Sequence, residues 1–359
     1  MTIFIGVSSN HIQSPSSNIT TESNYNTPIK KSVAATRRSI NQSIPMDELT
    51  PNIDSLQQLN QLKFDTHTIL NDYKTGIDKS YFYISNSINK SRDCVNRLKK
   101  ELSTLAGAST LPDGIYLRVD ENRMDAMRCM ITGPSNTPYA YGLFLFDIYI
   151  PNTYPTTNPN VLFKTTGNNT FRFNPNLYAD GMVCLSLLGT WEGPGWSATD
   201  STILQVLVSI QSMIFDEKPY FNEPEELDDI NDTYIQSASV HYNRPLRHAT
   251  AAYAMLDQLM NPCHGFEDII KLHFITYKSM ILHQLDEWLK LNAPIPKSSA
   301  VLEYEQLLSD GQSIPHTLYD TLHNQHYSFH AIHNTDSQTH VNKPFDETVK
   351  ELKLLLHKL

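Results

Sequence analysis

Apolar residues change their period midway along this chain, and that change narrows the folds open to it. Four short segments come first: GIYLRVD (114–120), DAMRCMIT (125–132), GLFLFDIYI (142–150) and NVLFKTT (160–166). Alternation puts successive side chains on opposite faces of a strand, so Met127, Cys129 and Ile131 share one side and Cys129 reads as a core residue. The third segment is nearly continuous in apolar residues, as a strand covered on both faces must be. The link GPSNTPYAYG is dense in turn formers and predicts a meander of antiparallel strands. From residue 201 the spacing becomes helical: STILQVLVSIQSMIF places Ile203, Val206, Leu207, Ile210, Met213 and Ile214 on one wide face, with Ser201 or Asp200 as cap. Upstream, Ile88, Val95, Leu98, Leu102 and Leu105 mark another helix, whose opposite face carries Lys90, Arg92, Arg97, Lys99 and Lys100. Strands followed by helices make an α+β domain.

Around this centre the chain is less regular. Residues 1–80 read as a low-complexity, disordered extension rich in Ser, Thr and Asn, too poor in apolar groups to offset chain entropy. Within it, 51–80 is ambiguous, because Ile53, Leu56, Leu59 and Leu62 recur every three residues. Helices are predicted at about 245–260 and 265–291, separated by the break NPCHGF, and these form a helical extension over 226–292 packed on the core. Residues 293–359 read as an irregular tail ending in the amphipathic segment FDETVKELKLLLHKL (345–359).

Composition removes several kinds of function. A formal net charge of −10 over 359 residues opposes binding to nucleic acid through phosphate neutralisation. No run of 18 apolar residues is present, so no membrane partner is expected. The four cysteines, Cys94, Cys129, Cys184 and Cys263, lie far apart and no export signal precedes them, so they read as reduced thiols of the cytoplasm or nucleus. Neither a phosphate-cradling glycine loop, a GxSxG elbow nor HExxH occurs. His323, His326, His330 and His333 could share a helix face and bind zinc, but their polar surroundings favour a solvated tract, and no metal is assigned. DEKPYFNEPEELDDINDTY (216–234), with eight acids and one lysine, reads as a solvated connection.

One segment stands apart: FNPNLYADGMVCLSLLGTW (173–191) crowds turn formers ahead of a cysteine. Taken alone, Cys184 beside leucines is a small hydrophobe. It ends a long polar loop, however, with Asn176 eight residues earlier. A thiol that forms thioesters gains from an amide donor near the developing oxyanion. The competing reading of Asn176 is a plain turn asparagine.

These residues resemble the ubiquitin-conjugating enzymes. That family has a His-Pro-Asn tripeptide, eight residues from its Asn to the active cysteine, then Leu, an apolar pair and Trp. Here NPN stands at 174–176, followed by Cys184, LSLL, Trp191 and Trp196, and TPYAYGLFLFDIYIPNTYPTTNP (137–159) is similar to the stretch upstream. The likeness covers a catalytic core at 86–225. RFNPNLYADGMVCLS, ILQVLVSIQS, PYFNEP and RHATAAYAML carry it to about residue 290 and resemble the giant hybrids that combine conjugation with ligase function, notably the one with a baculoviral inhibitor-of-apoptosis repeat.

The resemblance implies a ubiquitin-conjugating fold: an N-terminal helix, a four-stranded antiparallel meander, a long active-site loop, a central helix and C-terminal helices. It implies that Cys184 accepts the ubiquitin acyl group as a thioester from an activating enzyme and passes it to a substrate lysine, with Asn176 stabilising the oxyanion or ordering the loop. The partners implied are ubiquitin, its activating enzyme, a ubiquitin ligase and protein substrates. No cofactor is implied, since ATP is consumed by the activating enzyme. The other readings are a non-catalytic ubiquitin-binding scaffold and an enzyme for a different ubiquitin-like protein. The chain departs from the family pattern in having Asn174 where histidine is usual, and GTWEGPG enlarges the rim, where Trp191 lines the site or caps the core. The acid that assists the incoming amine has no clean counterpart; Tyr220, Asn222 and Glu223 are its candidates. The first helix is the family's docking face for the activating enzyme, which assigns Lys90, Arg92, Arg97, Lys99 and Lys100 to that contact. On this reading the sulfur of Cys184 lies open to solvent at the lip of a polar groove.

Overall fold

The structure, a computed structural model, describes residues 49–70, 90–107, 109–222, 233–292, 306 and 341–359. The histidine tract, Glu223 and most of the acidic segment lie outside these residues. The predicted strands form β2 (Ile115–Asp120), β3 (Ala126–Thr132), β4 (Leu143–Tyr149) and β5 (Asn160–Phe163), each antiparallel to the next. The fold is α+β, as expected, with one addition. Residues counted above within a disordered extension form α1 (Ile53–Gln61) and β1 (Phe64–His67), and β1 pairs parallel to β2 at the sheet edge. Asn52 caps α1 by accepting from Ser55 N at 3.0 Å. The three-residue spacing of Ile53, Leu56 and Leu59 is thus a short helix, anchored by Leu59, which is fully buried. Composition concealed it because one buried leucine among polar neighbours suffices when a second layer lies ready to receive it.

That second layer exists because both faces of the sheet are covered. Leu117, Met127, Cys129, Ile131, Phe144 and Phe146 face one core, shared with α2 (Arg92–Leu105) and α3 (Ile203–Ser209). Their alternating neighbours Tyr116, Met130, Leu143 and Leu145 face a second core, built with α1 and the C-terminal helices. Across three strands, Arg118, Arg128 and Asp147 stand in register on the second face. A charge buried there requires a partner. Arg128 Nε donates to Asp147 Oδ1 at 2.7 Å, and Arg118 donates to Leu62 O and Gly265 O while lying over the Phe266 ring.

The helices differ from expectation in their ends. The cap of α3 is Thr202, neither Ser201 nor Asp200: Thr202 Oγ1 accepts from Gln205 N, and Gln205 Oε1 accepts from Thr202 N at 2.8 Å. A π-helical turn over Ile210–Ile214 continues it. The helix predicted from 245 starts earlier, as α4 (Thr233–Ala249), runs through Pro245, and continues by a π-helical stretch (Thr250–Leu256) into α5 (Asp257–Met260). The helix predicted at 265–291 is two, α6 (Glu267–Thr276) and α7 (Lys278–Leu291), interrupted at Tyr277. The terminal amphipathic segment is α8 (Phe345–Leu356), whose Val349, Leu352 and Leu356 enter the second core.

Candidate active site

The loop between β5 and α3 is moored from the core outward. Phe171 and Phe173 are buried in the first core, and Tyr139 Oη donates to Phe173 O at 2.8 Å. Tyr139 reaches that point because the β3–β4 link folds tightly over Gly133, where a Cβ would lie 1.9 Å from Tyr139 O. Next to Phe173, Asn174 is wholly buried and uses its whole amide. Its Nδ2 donates to Tyr139 Oη at 2.9 Å and Ile214 O at 2.8 Å, and its Oδ1 accepts from Asn176 N at 2.9 Å and Asn222 Nδ2 at 3.4 Å. A buried amide is tolerated on these terms, with every donor and acceptor engaged. Asn174 thereby ties the loop to the β3–β4 link and to the end of the π-helical turn.

Asn176 carries the tie on to Cys184. Its Nδ2 donates to Cys184 O at 2.9 Å, and Cys184 N donates to Asn176 O at 2.9 Å. The amide grips the backbone of the cysteine. Thr190 grips the same stretch from the other side: its Oγ1 donates to Val183 O at 2.7 Å and accepts from Leu185 N at 3.0 Å. Tyr139 and Thr190 escaped the sequence reading. Gly189, immediately before Thr190, was the one local sign of a chain reversal there.

The thiol itself corrects an expectation. Cys184 is only 4% exposed, so the sulfur does not lie open to solvent. It lies between Val183 and Leu185, both of the first core, and is itself buried. Cys94 and Cys129 belong to that core, and burial pushes both thiols up. Cys263 is a half-buried loop thiol that accepts from Arg128 Nη1 at 3.6 Å. No disulfide joins the four.

The rim candidates separate. Trp191 is half-buried in the insert, while Trp196 anchors the insert's end by donating from Nε1 to Pro155 O at 2.7 Å and packing on Tyr154. Tyr220 packs against Phe221 and Tyr242. Asn222 joins the Asn174 amide and also reaches Asp216, a half-buried carboxyl that desolvation lifts above the usual carboxylate range. Sequence reading passed over Asp216 as part of a solvated acidic run.

The cationic stripe on α2 and the residues leading into it also divides. Lys90 is not a surface charge: its Nζ sits 3.0 Å from Asp125 Oδ2, donates to Asn152 Oδ1 at 2.9 Å, and lies over the Tyr149 ring. Arg97 pairs with Glu101 and donates from Nη2 to Ser201 O at 2.7 Å, fixing the approach to α3. Both belong to the frame because each can reach a buried acceptor across the helix–loop junction. Arg92, Lys99 and Lys100 remain exposed on α2.

Among the described residues no cluster of His, Cys, Asp or Glu is arranged to hold a metal, and no helix is long and apolar enough to cross a membrane. Comparison with known proteins matches residues 97–248 to the family described as ubiquitin-conjugating enzyme. Human "Dual E2 ubiquitin-conjugating enzyme/E3 ubiquitin-protein ligase BIRC6" is 40% identical over 243 residues, 64% of this chain and 5% of that protein. "Probable ubiquitin-conjugating enzyme protein 17" of Caenorhabditis elegans is 44% identical over 207 residues, 55% of this chain and 28% of its own length. The chain therefore spans a small part of these two relatives. "Putative ubiquitin-conjugating enzyme E2 38" of Arabidopsis thaliana is 37% identical over 227 residues, 62% of this chain and 67% of that protein. With its meander sheet, first helix, loop-borne cysteine and central helix in the order the motifs foretold, this chain belongs to the ubiquitin-conjugating enzyme family.

Proposed function

We propose that the chain is an active conjugating enzyme in which Cys184 accepts ubiquitin from an activating enzyme and passes it to a protein lysine. In the first step the Cys184 thiolate attacks the activating enzyme's thioester carbonyl, a new thioester forms, and the activating enzyme's thiolate leaves. One thioester replaces another, so the step is near balance and needs no metal or nucleotide on this chain. ATP is spent by the activating enzyme, and no cofactor is assigned here. In the second step a substrate amine attacks, an isopeptide bond forms, and the thiol is regenerated.

The observation that carries the reading is the reciprocal pair of bonds between Asn176 and Cys184, each 2.9 Å. A thiol filling a core needs no side-chain amide on its own carbonyl; Cys129 in β3 is held instead by the strands on either side. At 4% exposure Cys184 requires the covering loop to open before an acyl chain is seated, and that opening is part of the proposal. Arg92, Lys99 and Lys100 are the exposed cations of α2 available for the activating enzyme. Of the candidates for assisting the incoming amine, Asn222 bonds to Asn174 in the loop and to Asp216, which supports a role for it there. The proposed setting is the cytoplasm or nucleus, with a ligase and its substrates as further partners.

Incubating the protein with activating enzyme, ATP and ubiquitin, followed by a non-reducing gel, tests this. The expected result is a shifted band that thiol reagent removes and that Cys184→Ala abolishes. A band that persists in the variant would assign the chemistry to another cysteine. No band with the unaltered protein, at any activating-enzyme concentration, would favour a scaffold that only binds ubiquitin, and charging with a different ubiquitin-like protein alone would reassign the cargo.

A further inference from the structure

Thr190 stands in the insert after the cysteine, exposed in its own right yet bonded inward on both sides of Cys184. The local chain explains how it gets there. After Cys184 the backbone makes a single 3-10 turn over Ser186–Leu188, with Leu188 N donating to Leu185 O and Gly189 N to Ser186 O, both at 2.9 Å. Gly189 then takes φ +68°, the left-handed region that glycine enters without steric cost, and reverses the chain. The reversal returns Thr190 to the start of the turn, where its own N–H donates to Leu185 O at 3.3 Å.

Two peptide planes flank a residue, and their orientation fixes its φ and ψ. In the plane before Cys184, the Val183 carbonyl accepts from Thr190 Oγ1 at 2.7 Å, and the Cys184 N–H donates to Asn176 O at 2.9 Å. In the plane after it, the Cys184 carbonyl accepts from Asn176 Nδ2 at 2.9 Å, and the Leu185 N–H donates to Thr190 Oγ1 at 3.0 Å. Each plane is held on one edge by Asn176 and on the other by Thr190. A single hydroxyl suffices for the second grip because its hydrogen goes to one plane while a lone pair takes the N–H of the other.

We infer that Thr190 is a positioning residue for the acyl-accepting thiol: with Asn176 it clamps both peptide planes of Cys184 and so fixes the direction in which the sulfur meets an incoming thioester. The inference rests on Cys184 being the acyl-accepting thiol, and it assigns the insert's first polar residue to the cysteine rather than to the rim. Attack on a thioester needs a defined line of approach, and a misplacement of about 1 Å costs on the order of 100-fold in rate. Alkylation by a small reagent makes no such demand and depends on access to the thiolate. Loosening the clamp around a thiol 4% exposed therefore slows acyl transfer and speeds alkylation, two effects of opposite sign.

The test uses the full chain with Thr190→Val, which keeps the shape and removes the hydroxyl, Thr190→Ala, and Thr190→Ser, which restores the hydroxyl. Single-turnover charging is measured against the concentration of ubiquitin-loaded activating enzyme, and iodoacetamide labelling of each cysteine is followed by mass spectrometry from pH 6 to 9. Valine and alanine are expected to lower the maximal charging rate at least about 10-fold, with half-saturation unchanged. They should also raise the plateau labelling rate of Cys184 several-fold and leave Cys94 and Cys129 protected, while serine restores both. Serine behaving like valine, or valine folding with unaltered labelling of Cys184, would overturn the inference. So would faster labelling of Cys94 and Cys129 in step with Cys184, which marks a general loss of structure. Labelling requires no ubiquitin, so a protein that fails to charge under any condition refutes the function proposed above while this arm still decides the clamp.

Discussion

At the scale of single residues, the site depends on two buried asparagines that do different work. Asn174 has four partners and no exposure. Replacing it with alanine strands the Ile214 carbonyl and the Asn176 N–H in the interior, and each such orphan costs about 1–3 kcal/mol. Asn174→Ala is therefore expected to lose about 2–4 kcal/mol in urea unfolding, and a loss below about 1 kcal/mol would contradict the hub. Asn176→Ala removes a single bond, to Cys184 O. Its stability should fall by only about 1 kcal/mol, whereas single-turnover ubiquitin transfer should slow on the order of 100-fold through misplacement of the thiol. Equal modest effects on stability and rate would deny it a special role. Sequence spacing singled out Asn176 and Cys184 because the two are eight residues apart in one loop. It was silent on Tyr139, whose partner Asn174 is 35 residues distant.

At the scale of elements, α2 shows how far periodicity reaches. Its apolar stripe was readable, and so were its cations, yet a stripe does not reveal which charges bend inward. Lys90 and Arg97 find acceptors contributed by Ile150, Asn152 and Ser201, all remote in sequence. Arg97→Ala should therefore destabilise the fold, by about 1.5–3 kcal/mol for lost bonds from a charged group, as read by the unfolding midpoint. Charge reversal at Lys99 and Lys100 should leave that midpoint unmoved and slow charging by the activating enzyme several-fold, an effect that shrinks as salt is added. A change of midpoint with the reversal, or charging indifferent to it, would place the docking surface elsewhere. Strand β1 makes the same point about short elements. Four residues, FDTH, carry little periodic signal, and their strand exists because the edge of β2 offers a ladder to join.

At the scale of the whole molecule, the helical layer on the second face of the sheet converts a half-exposed meander into one buried on both sides. It also buries His273 completely. A carbonyl only accepts, so the 2.9 Å contact to Tyr141 O makes His273 Nε2 the protonated nitrogen, and Nδ1 is left without a partner. Desolvation pushes the imidazole down to about 4 from an ordinary value of 6.5. Between these values the unfolded chain binds a proton that the folded chain refuses, so stability falls as pH drops from about 6.5 towards 4 and is unaffected by this group above 6.5. Full expression of that difference amounts to about 3 kcal/mol, at about 1.36 kcal/mol per pH unit. Urea unfolding at pH 7.5, 5.5 and 4.5 should show the decline, and His273→Gln should lessen it, the remainder coming from His248, which desolvation also lowers to about 4. Parallel pH curves for the two proteins would remove His273 as a cause.

Residue order was enough for the alternation that makes the strands, the helical spacing after residue 201 and the eight-residue interval that marks Cys184, because these depend on neighbours within a few turns or strand repeats. It took the folded chain to show that α1 and β1 are ordered, that Lys90 and Arg97 belong to the frame, that Cys184 is covered, and that Tyr139 and Thr190 bond to the loop. Each of those outcomes turns on a hydrogen bond or a packed face supplied by backbone elsewhere in the fold, and side chains that could serve either role are assigned only when the chain closes around them.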